Sequence, residues 1–162
     1  MKNLLLAAGA LAAGGCFLLT GQDSPPPAVY TAAQATEGRT AYASTCGKCH
    51  LDSLMGRTGD PGELPAVDSL PAVMRDVIRG TGGIVPPLAG ADFMKVWGAR
   101  TTRDLALRVQ NAVGGFRPEG SDKETYLNLT AYFLQANGAS AGAKALTAAT
   151  AAKIRSLQPA KH

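Results

Sequence analysis

Cys46-Gly47-Lys48-Cys49-His50 is the stretch that decides the fold of this 162-residue chain. It places two thiols three residues apart and an imidazole directly after the second thiol. Residues 31–45, which precede it, are predicted to form a helix. Four residues spaced four apart would lie on one face of that helix: Gln34, Gly38, Tyr42 and Cys46. The two thiols therefore stand at the end of a helix and can reach one edge of a common ligand.

The spacing Cys-x-x-Cys-His is the attachment pattern of a c-type haem. Two thiols at this spacing reach the two vinyl groups on one porphyrin edge and form thioethers, and the imidazole meets the iron from the same side. Covalent attachment lets a small domain keep the haem without a deep pocket. We therefore expect one haem c, held covalently by Cys46 and Cys49, with His50 as the metal ligand.

Three other interpretations of the motif compete less well. A structural zinc site needs four ligands, and outside the motif only Cys16 and His162 remain, both near the chain ends. A thioredoxin-type dithiol follows a strand in a βαβ unit, whereas the segment before this motif is predicted to be helical. A disulfide suits an oxidising compartment but leaves His50 unexplained.

Residues 1–21 have the pattern of a targeting segment. Lys2 precedes an uncharged apolar run over residues 4–19, which is typical of an export signal and short for a membrane span. Cys16 resembles a lipobox cysteine, although the usual Leu three positions earlier is absent. A lipoprotein signal, an uncleaved anchor and an ordinarily cleaved signal all stay open. Each predicts export to the periplasm, and the stiff proline-rich linker 22–30 suits a domain tethered to a membrane.

The distribution of charge argues against nucleic acid as a partner. The net charge is +4, but residues 31–140 carry equal numbers of basic and acidic side chains. A nucleic-acid-binding domain needs a basic stripe on its folded part. The excess lies instead in residues 139–162, which are rich in alanine and poor in large apolar side chains. We expect these residues to form a flexible basic tail.

Helices are predicted throughout, because no stretch alternates for long between apolar and polar residues. Two capping boxes, Thr101 with Asp104 and Ser121 with Glu124, open the last two helices, and Gly138 ends the final one. A short helix over residues 71–79 and a turn over residues 92–97 are expected before them. The last two helices are expected to span residues 101–113 and 121–136. The predicted fold class is all-α.

The chain resembles the bacterial class I monohaem cytochromes c over residues 31–138. Four segments carry the resemblance: Gly38 and Tyr42 ahead of the Cys46–His50 motif, Pro86-Pro87-Leu88-Ala89-Gly90, Phe93 with Trp97, and Leu129-Thr130-Ala131-Tyr132-Phe133-Leu134. The resemblance implies a cytochrome c domain over residues 31–138, with helices wrapped around one covalently attached haem.

The same resemblance implies roles for single residues. Gly38 in the first helix would be crossed closely by Tyr132 of the last helix. The Pro86 carbonyl would bind the second ring nitrogen of His50, orient the ring and raise its basicity. Four apolar side chains would line the haem edge: Leu88, Phe93, Trp97 and Leu107.

The chain departs from this family at the second axial ligand. Family members usually supply a methionine from the loop between the last two long helices, and residues 111–120 contain none. Met74 and Met94 stay open as ligands, although a methionine on an apolar helix face more often fills space in the core. A non-methionine ligand such as Asn111, a water molecule and an open sixth position stay open as well.

The resemblance implies an electron carrier that cycles between Fe(II) and Fe(III) and transforms no substrate, so the protein would not be an enzyme. Its redox partner would be a respiratory oxidase or a periplasmic dehydrogenase, docked over a small interface. The alternative is an open sixth position that binds a small gas or reacts with peroxide. Peroxide chemistry needs an acid–base group near the iron. Because the only other histidine is His162, the carrier is favoured.

The loop without methionine predicts a reduction potential below that of typical His/Met cytochromes. A soft thioether ligand favours ferrous iron, whereas water or a harder donor opposite His50 favours ferric iron. A spectroelectrochemical titration measures the potential, and the oxidised spectrum should lack the sulfur-to-ferric charge-transfer band. Detection of that band would contradict the prediction, and single replacements of Met74 and Met94 would then identify the sulfur.

Overall fold

A computed structural model describes residues 25–112 and 123–159, except for the side chain of Lys123. Predictions about the targeting segment, about residues 113–120 and about three single residues lie outside these ranges: Cys16, Ser121 and His162. Within the described ranges, no helix has both the length and the apolar character needed to cross a bilayer.

Helices dominate the described chain, as the all-α prediction expects. They are α1 (Ala32–Ser44), α2 (Gly47–His50), α3 (Ala72–Gly80), α4 (Gly90–Trp97), α5 (Thr102–Gln110) and α6 (Lys123–Ala136). Two short 3₁₀ segments, Val67–Ser69 and Ile154–Leu157, accompany them. The described strands are two residues each, β1 (Arg57–Thr58) and β2 (Ile84–Val85), paired antiparallel.

Helices α1 and α6 form the centre of the fold and touch at Gly38. A Cβ on Gly38 would lie 1.9 Å from the Asn128 carbonyl oxygen and 2.9 Å from the Tyr132 Cβ, so only glycine permits this approach. The predicted crossing of Gly38 and Tyr132 is therefore present. One turn farther along α1, the Tyr42 ring packs against Tyr132 and Phe133, with centroids 5.3 Å and 5.9 Å away.

Side-chain caps explain where α1 and α5 begin. The Thr31 hydroxyl accepts a hydrogen bond from the Gln34 N–H, and the Gln34 side chain accepts one from the Thr31 N–H. Thr101 and Asp104 form the predicted capping box in the same way. Each box satisfies backbone donors that the first helical turn leaves without partners.

Two helices differ from their predicted extent. Helix α5 ends at Gln110, three residues before the predicted end, with Asn111 as its C-cap, in keeping with the low helix propensity of asparagine. Helix α4 is longer than the expected turn, and Ala89 rather than Asp92 is its N-cap. The end of α6 agrees with prediction, since Gly138 has a φ of 87°.

The prediction of a flexible tail is wrong for residues 139–159, which we call the C-terminal strap. Its three large apolar side chains are all buried in the main core: Leu146, Ile154 and Leu157. Burial of each such side chain contributes on the order of 1.5–3 kcal/mol. A low density of apolar residues therefore does not leave this segment unpacked, because each large apolar residue that it has reaches the core.

The first part of the strap is hydrogen-bonded to the start of α1. The Gly142 N–H donates to the Tyr30 carbonyl at 2.8 Å, and the Tyr30 hydroxyl donates to the Ala139 carbonyl. The Gln34 side chain accepts from the Leu146 N–H at 2.7 Å and donates to the Leu146 carbonyl at 3.0 Å. The folded unit therefore extends beyond residues 31–138 in both directions, since Tyr30 itself is fully buried.

The last part of the strap is fastened to the corner between α4 and α5. The Thr102 N–H donates to the Ala152 carbonyl at 2.9 Å, and the Ile154 N–H donates to the Arg100 carbonyl at 3.0 Å. The Arg155 N–H donates to the carbonyl of Gly98. These backbone bonds fix the position of the α4–α5 corner, from which Trp97 and Arg100 project.

Replacement of Ile154 by Ala should lower the free energy of unfolding by about 2–5 kcal/mol, because it leaves a cavity in the core. Chemical denaturation of the full chain measures the change. Lys144→Ala is the matched control, since Lys144 lies on an exposed part of the same strap and its loss should leave the stability unchanged. Equal stability of the Ile154→Ala variant and the parent protein would mean that the strap is not packed.

Candidate functional site

Helix α2 is a single turn that carries the Cys-x-x-Cys-His motif directly after α1. The Tyr42 hydroxyl donates to the Leu51 carbonyl, and Gly47 lies against the Tyr42 ring, so an aromatic side chain of α1 supports the turn. Leu51 has a φ of 62°, and its carbonyl also accepts a hydrogen bond from the Leu54 N–H at 3.1 Å. The Gly56 N–H then donates to the His50 carbonyl at 3.1 Å. The motif is thus held between a helix and a tight loop.

Both motif cysteines are unbridged thiols, each partly buried against a different cluster. Cys46 packs on the main core, whereas Cys49 packs on a second cluster formed by Leu70, Ile78 and Val85. Burial raises the pKa of both thiols. The positive charge of Arg57 opposes the increase in the pKa of Cys49. Both thiols, one at the N-cap of α2 and one within it, are therefore protonated at neutral pH.

The imidazole of His50 is oriented by the carbonyl of Pro86. His50 Nδ1 lies 2.8 Å from the Pro86 oxygen, the contact that the family resemblance implies. A carbonyl can only accept, so Nδ1 carries the proton and Nε2 keeps a lone pair. Burial lowers the pKa of His50, which the Pro86 bond partly opposes, and the neutral form dominates at pH 7. Nε2 has no hydrogen-bond partner among the described residues and is free to act as a ligand.

The segment that carries Pro86 is fixed at three places. Val85 pairs with Arg57 in the two-stranded ladder, and the Leu88 N–H donates to the Leu54 carbonyl at 2.7 Å. The Asn137 amide donates to the Leu88 carbonyl and accepts from the Gly90 N–H, each at 3.0 Å. The sequence predicts Asn137 only as part of a helix stop, and no sequence pattern indicates that its side chain reaches back to residues 88–90.

Trp97 lies at the rim of the main core. It stacks on buried Phe93 with centroids 6.3 Å apart, and the Arg100 guanidinium lies 5.0 Å from the Trp97 ring centroid. Leu88 is also half-buried against this core. Leu107 is 47% exposed and stands apart from the buried cluster.

The described methionines occupy three different environments. The Met94 sulfur accepts a hydrogen bond from the Gln158 amide at 3.2 Å, and Met74 packs on the second cluster with Cys49. Met55 is largely exposed and lies beside Gly90. The strap thus engages Met94, one of the two predicted candidates for an axial ligand.

Arg57 is a site residue that the sequence did not indicate. Its side chain is only 2% exposed, and its Nη2 donates to the Pro65 carbonyl at 2.6 Å. Nε and Nη1 are buried and have no partner among the described atoms. Arg57 stands in an irregular, polar stretch of sequence, where no periodicity predicts burial.

A cleft of about 360 Å³ lies away from the motif. It separates the loop of residues 59–68 from the end of α3, and no motif residue lines it. Two of its charged lining residues, Asp68 and Arg79, form an ion pair with each other. The cleft therefore contains neither the thiols nor the imidazole of the motif.

The donor set at α2 is two thiols and one imidazole nitrogen. Among the described residues, no group of three or more His, Cys, Asp and Glu is placed to hold a metal ion. Two thiols and one nitrogen match the bonding needs of a haem, whose two vinyl groups can each bond a sulfur and whose iron can bind the nitrogen. The residues present thus fit the haem expected from the motif.

Comparison with known proteins assigns no family: no family model matches the chain, and no curated protein or solved structure matches it significantly. Function must therefore be inferred from the chemistry of the site itself.

Gly56→Ala should disturb the carbonyl that orients His50. Gly56 has a φ of 69°, and a Cβ there would lie 2.0 Å from the Val85 oxygen and 2.9 Å from the Pro86 oxygen. Gly82 has a similar φ of 67° and nothing within 4 Å of its Cβ, so Gly82→Ala is the matched control. Both variants bear the cost of a left-handed residue, about 1–2 kcal/mol.

Only Gly56→Ala also forces backbone atoms apart. This should lower its free energy of unfolding by a further amount of about 1–3 kcal/mol. Chemical denaturation of the two variants measures the difference. Equal destabilisation of both would show that the contact of Gly56 with residues 85–86 does not constrain the site.

Proposed function

We propose that this domain carries one haem c, bound through Cys46 and Cys49, and works as a one-electron carrier. The observation that carries the proposal is the 2.8 Å contact between His50 Nδ1 and the Pro86 carbonyl, beside two unbridged thiols. A histidine held in this way has a fixed ring and a free Nε2, as an iron ligand requires. Neither a redox-active dithiol nor a simple disulfide would use that nitrogen.

The residues of the chain have separate tasks in this proposal. Cys46 and Cys49 hold the porphyrin edge through thioethers, which prevents loss of the group in either oxidation state. His50 supplies Nε2, and Pro86 fixes the ring plane and makes Nε2 a better donor. The bound haem supplies reversible exchange between Fe(II) and Fe(III). No substrate is transformed, so we assign no catalytic residue.

The proposal includes a class I cytochrome c fold. Its support is the close crossing of α1 and α6 at Gly38, together with the Pro86–His50 contact, because the family resemblance implies both. Leu88 and Trp97, at the rim of the main core, are proposed to line the haem edge. Tyr42 and Tyr132 pack between the crossing helices and would support the motif from behind.

Charge indicates the kind of redox partner. Residues 90–112 and 140–159 carry seven basic and two acidic side chains, whereas residues 25–89 carry five basic and six acidic ones. Arg100 lies over the Trp97 ring, and Arg155 lies beside Gly98, where the strap crosses the end of α4. We infer that an oxidase or dehydrogenase with an acidic docking surface approaches the side of the domain where Arg100 and Arg155 lie. An export signal or anchor in residues 1–21 would keep the domain in the periplasm, tethered beside such a partner.

Covalent haem is the first property to test. The full chain, produced in a host that matures c-type cytochromes, should give a haem-stained band after denaturing electrophoresis. The double variant Cys46→Ala/Cys49→Ala should give none, and Lys48→Ala, a change within the same motif, should stain like the parent. His50→Ala should keep the stain but lose the strong-field reduced spectrum. An unstained band from the parent chain would end the proposal.

A second candidate function follows from the methionines. Residues 111–120 contain none, and the Met94 sulfur is engaged by Gln158. If the iron has no second protein ligand, a small gas or peroxide can reach it. The described ranges contain no histidine besides His50, so they offer no imidazole as an acid–base group for peroxide. Within this second function, binding of a small gas is therefore better supported than a reaction with peroxide.

Carbon monoxide distinguishes the two functions. The carrier proposal expects a protein group in the sixth position, so the reduced protein should bind carbon monoxide slowly or in less than stoichiometric amount. Met74→Leu, Met94→Leu and Asn111→Ala would each accelerate binding only if the replaced group is that ligand. Met55→Leu, at an exposed position, is the control. Rapid stoichiometric binding by the parent protein would favour the gas-binding function over the carrier.

A further inference from the structure

Asn137 binds an extended backbone segment as a neighbouring strand would. Its side-chain amide donates from Nδ2 to the Leu88 carbonyl and accepts at Oδ1 from the Gly90 N–H, each at 3.0 Å. Nδ2 also donates to the Phe133 carbonyl at 2.8 Å, which fixes the side chain against its own helix. Asn137 is only 9% exposed. An amide suits this double contact because it carries both a donor and an acceptor.

The segment that Asn137 binds carries the carbonyl that orients His50. Pro86 and the proline after it have no N–H, so neither can be fixed by a backbone donor of its own. The first donor after them is the Leu88 N–H, which is bonded to the Leu54 carbonyl, while the Leu88 carbonyl is bonded to Asn137. The position of the Pro86 carbonyl therefore depends on how firmly Leu88 is held.

The end of the strap holds Asn137 in turn. The Gln158 side-chain amide donates to the Asn137 carbonyl and to the Met94 sulfur. A carbonyl at the end of a helix has no partner within the helix, and Gln158 supplies one here. The next residue, Gly138, has a φ of 87° and lets the chain turn at this point. Gln158 therefore restrains the backbone from which the Asn137 side chain projects.

We propose that Asn137 is a positioning residue for the iron ligand His50 and that Gln158 of the strap reinforces it. This inference rests on the proposed haem attachment and adds two residues to which the family resemblance assigns no role. A firmly held Pro86 carbonyl keeps its bond to the Nδ1 proton, which makes Nε2 a better donor to iron. A better donor stabilises ferric iron, so the strap influences the reduction potential through the backbone that orients His50.

The test uses the full-length haem-loaded protein and the variants Asn137→Ala and Gln158→Leu. Gln135→Ala, at an exposed position near the same end of α6, is the control. NMR of the reduced low-spin protein, with carbon monoxide added if its sixth position is open, follows exchange of the His50 Nδ1 proton with solvent. Exchange should be roughly two- to tenfold faster in Asn137→Ala, the factor that corresponds to one hydrogen bond. It should be accelerated less in Gln158→Leu and stay unchanged in Gln135→Ala.

The reduction potential is the second measurement. It should rise in Asn137→Ala and, by less, in Gln158→Leu, because a weaker histidine donor stabilises ferric iron less. Gln135→Ala should keep the potential of the parent protein. A sulfur-to-ferric charge-transfer band that appears only in Gln158→Leu would overturn the role given to Gln158. The released Met94 sulfur, rather than Asn137, would then have changed the iron.

A double variant shows whether Gln158 acts through Asn137. If it does, Asn137→Ala/Gln158→Leu should exchange the Nδ1 proton no faster than Asn137→Ala alone, because the contact that Gln158 supports is already lost. Additive effects of the two changes would mean that Gln158 acts by another route and would overturn its role.

The outcomes separate this inference from the proposed function. If the variants lose stability but keep the proton exchange and the potential of the parent, the inference fails and the haem proposal stands. Absence of haem from the parent would overturn both. If Asn137→Ala does not accumulate, Gln158→Leu decides, because it leaves the Asn137 side chain intact. Exchange and potential equal to those of the parent in that variant would overturn the inference.

Discussion

The close approach of α1 and α6 at Gly38 is the constraint on which the rest of the structure depends. With the Asn128 carbonyl only 1.9 Å from where a Cβ would be, the two helices can pack directly, backbone against backbone. This contact sets the direction of α1, and therefore the place where Cys46 leaves it. Tyr42 continues the contact by packing on α6 and binding the Leu51 carbonyl, which closes the loop after His50.

A second set of constraints acts on the backbone of residues 85–90. The ladder to Arg57, the bond from Leu88 to Leu54 and the Asn137 amide hold this extended segment from three sides. Pro86 has no N–H, so the contacts that hold the segment are made by its neighbours. The Pro86 carbonyl is bonded to His50. The orientation of one imidazole thus depends on residues far apart in sequence. A rigid support of this kind would suit the role of iron ligand that we propose for His50.

The strap adds a charged surface to this scaffold. It carries basic residues and no acidic ones over residues 140–159 and is fixed by backbone bonds to the α4–α5 corner. Lys153 and Arg155 are therefore presented at fixed positions near Arg100 rather than on a mobile tail. A fixed cationic surface beside a half-buried tryptophan would provide both steering and a contact point for the acidic partner that we propose. The same strap engages the Met94 sulfur through Gln158.

The sequence by itself determined what depends on local spacing. The Cys46–His50 motif, the helical class, the Thr101–Asp104 cap and the left-handed stop at Gly138 all follow from residues within a few positions of one another. The Gly38 crossing and the Pro86 contact were predictable only through resemblance to a family. Tertiary structure alone decided that the strap packs on the core, that the Asn137 side chain bonds to Leu88 and Gly90, and that Arg57 is buried. Each of these depends on contacts between distant segments, and burial in such contacts leaves no periodic pattern in a loop.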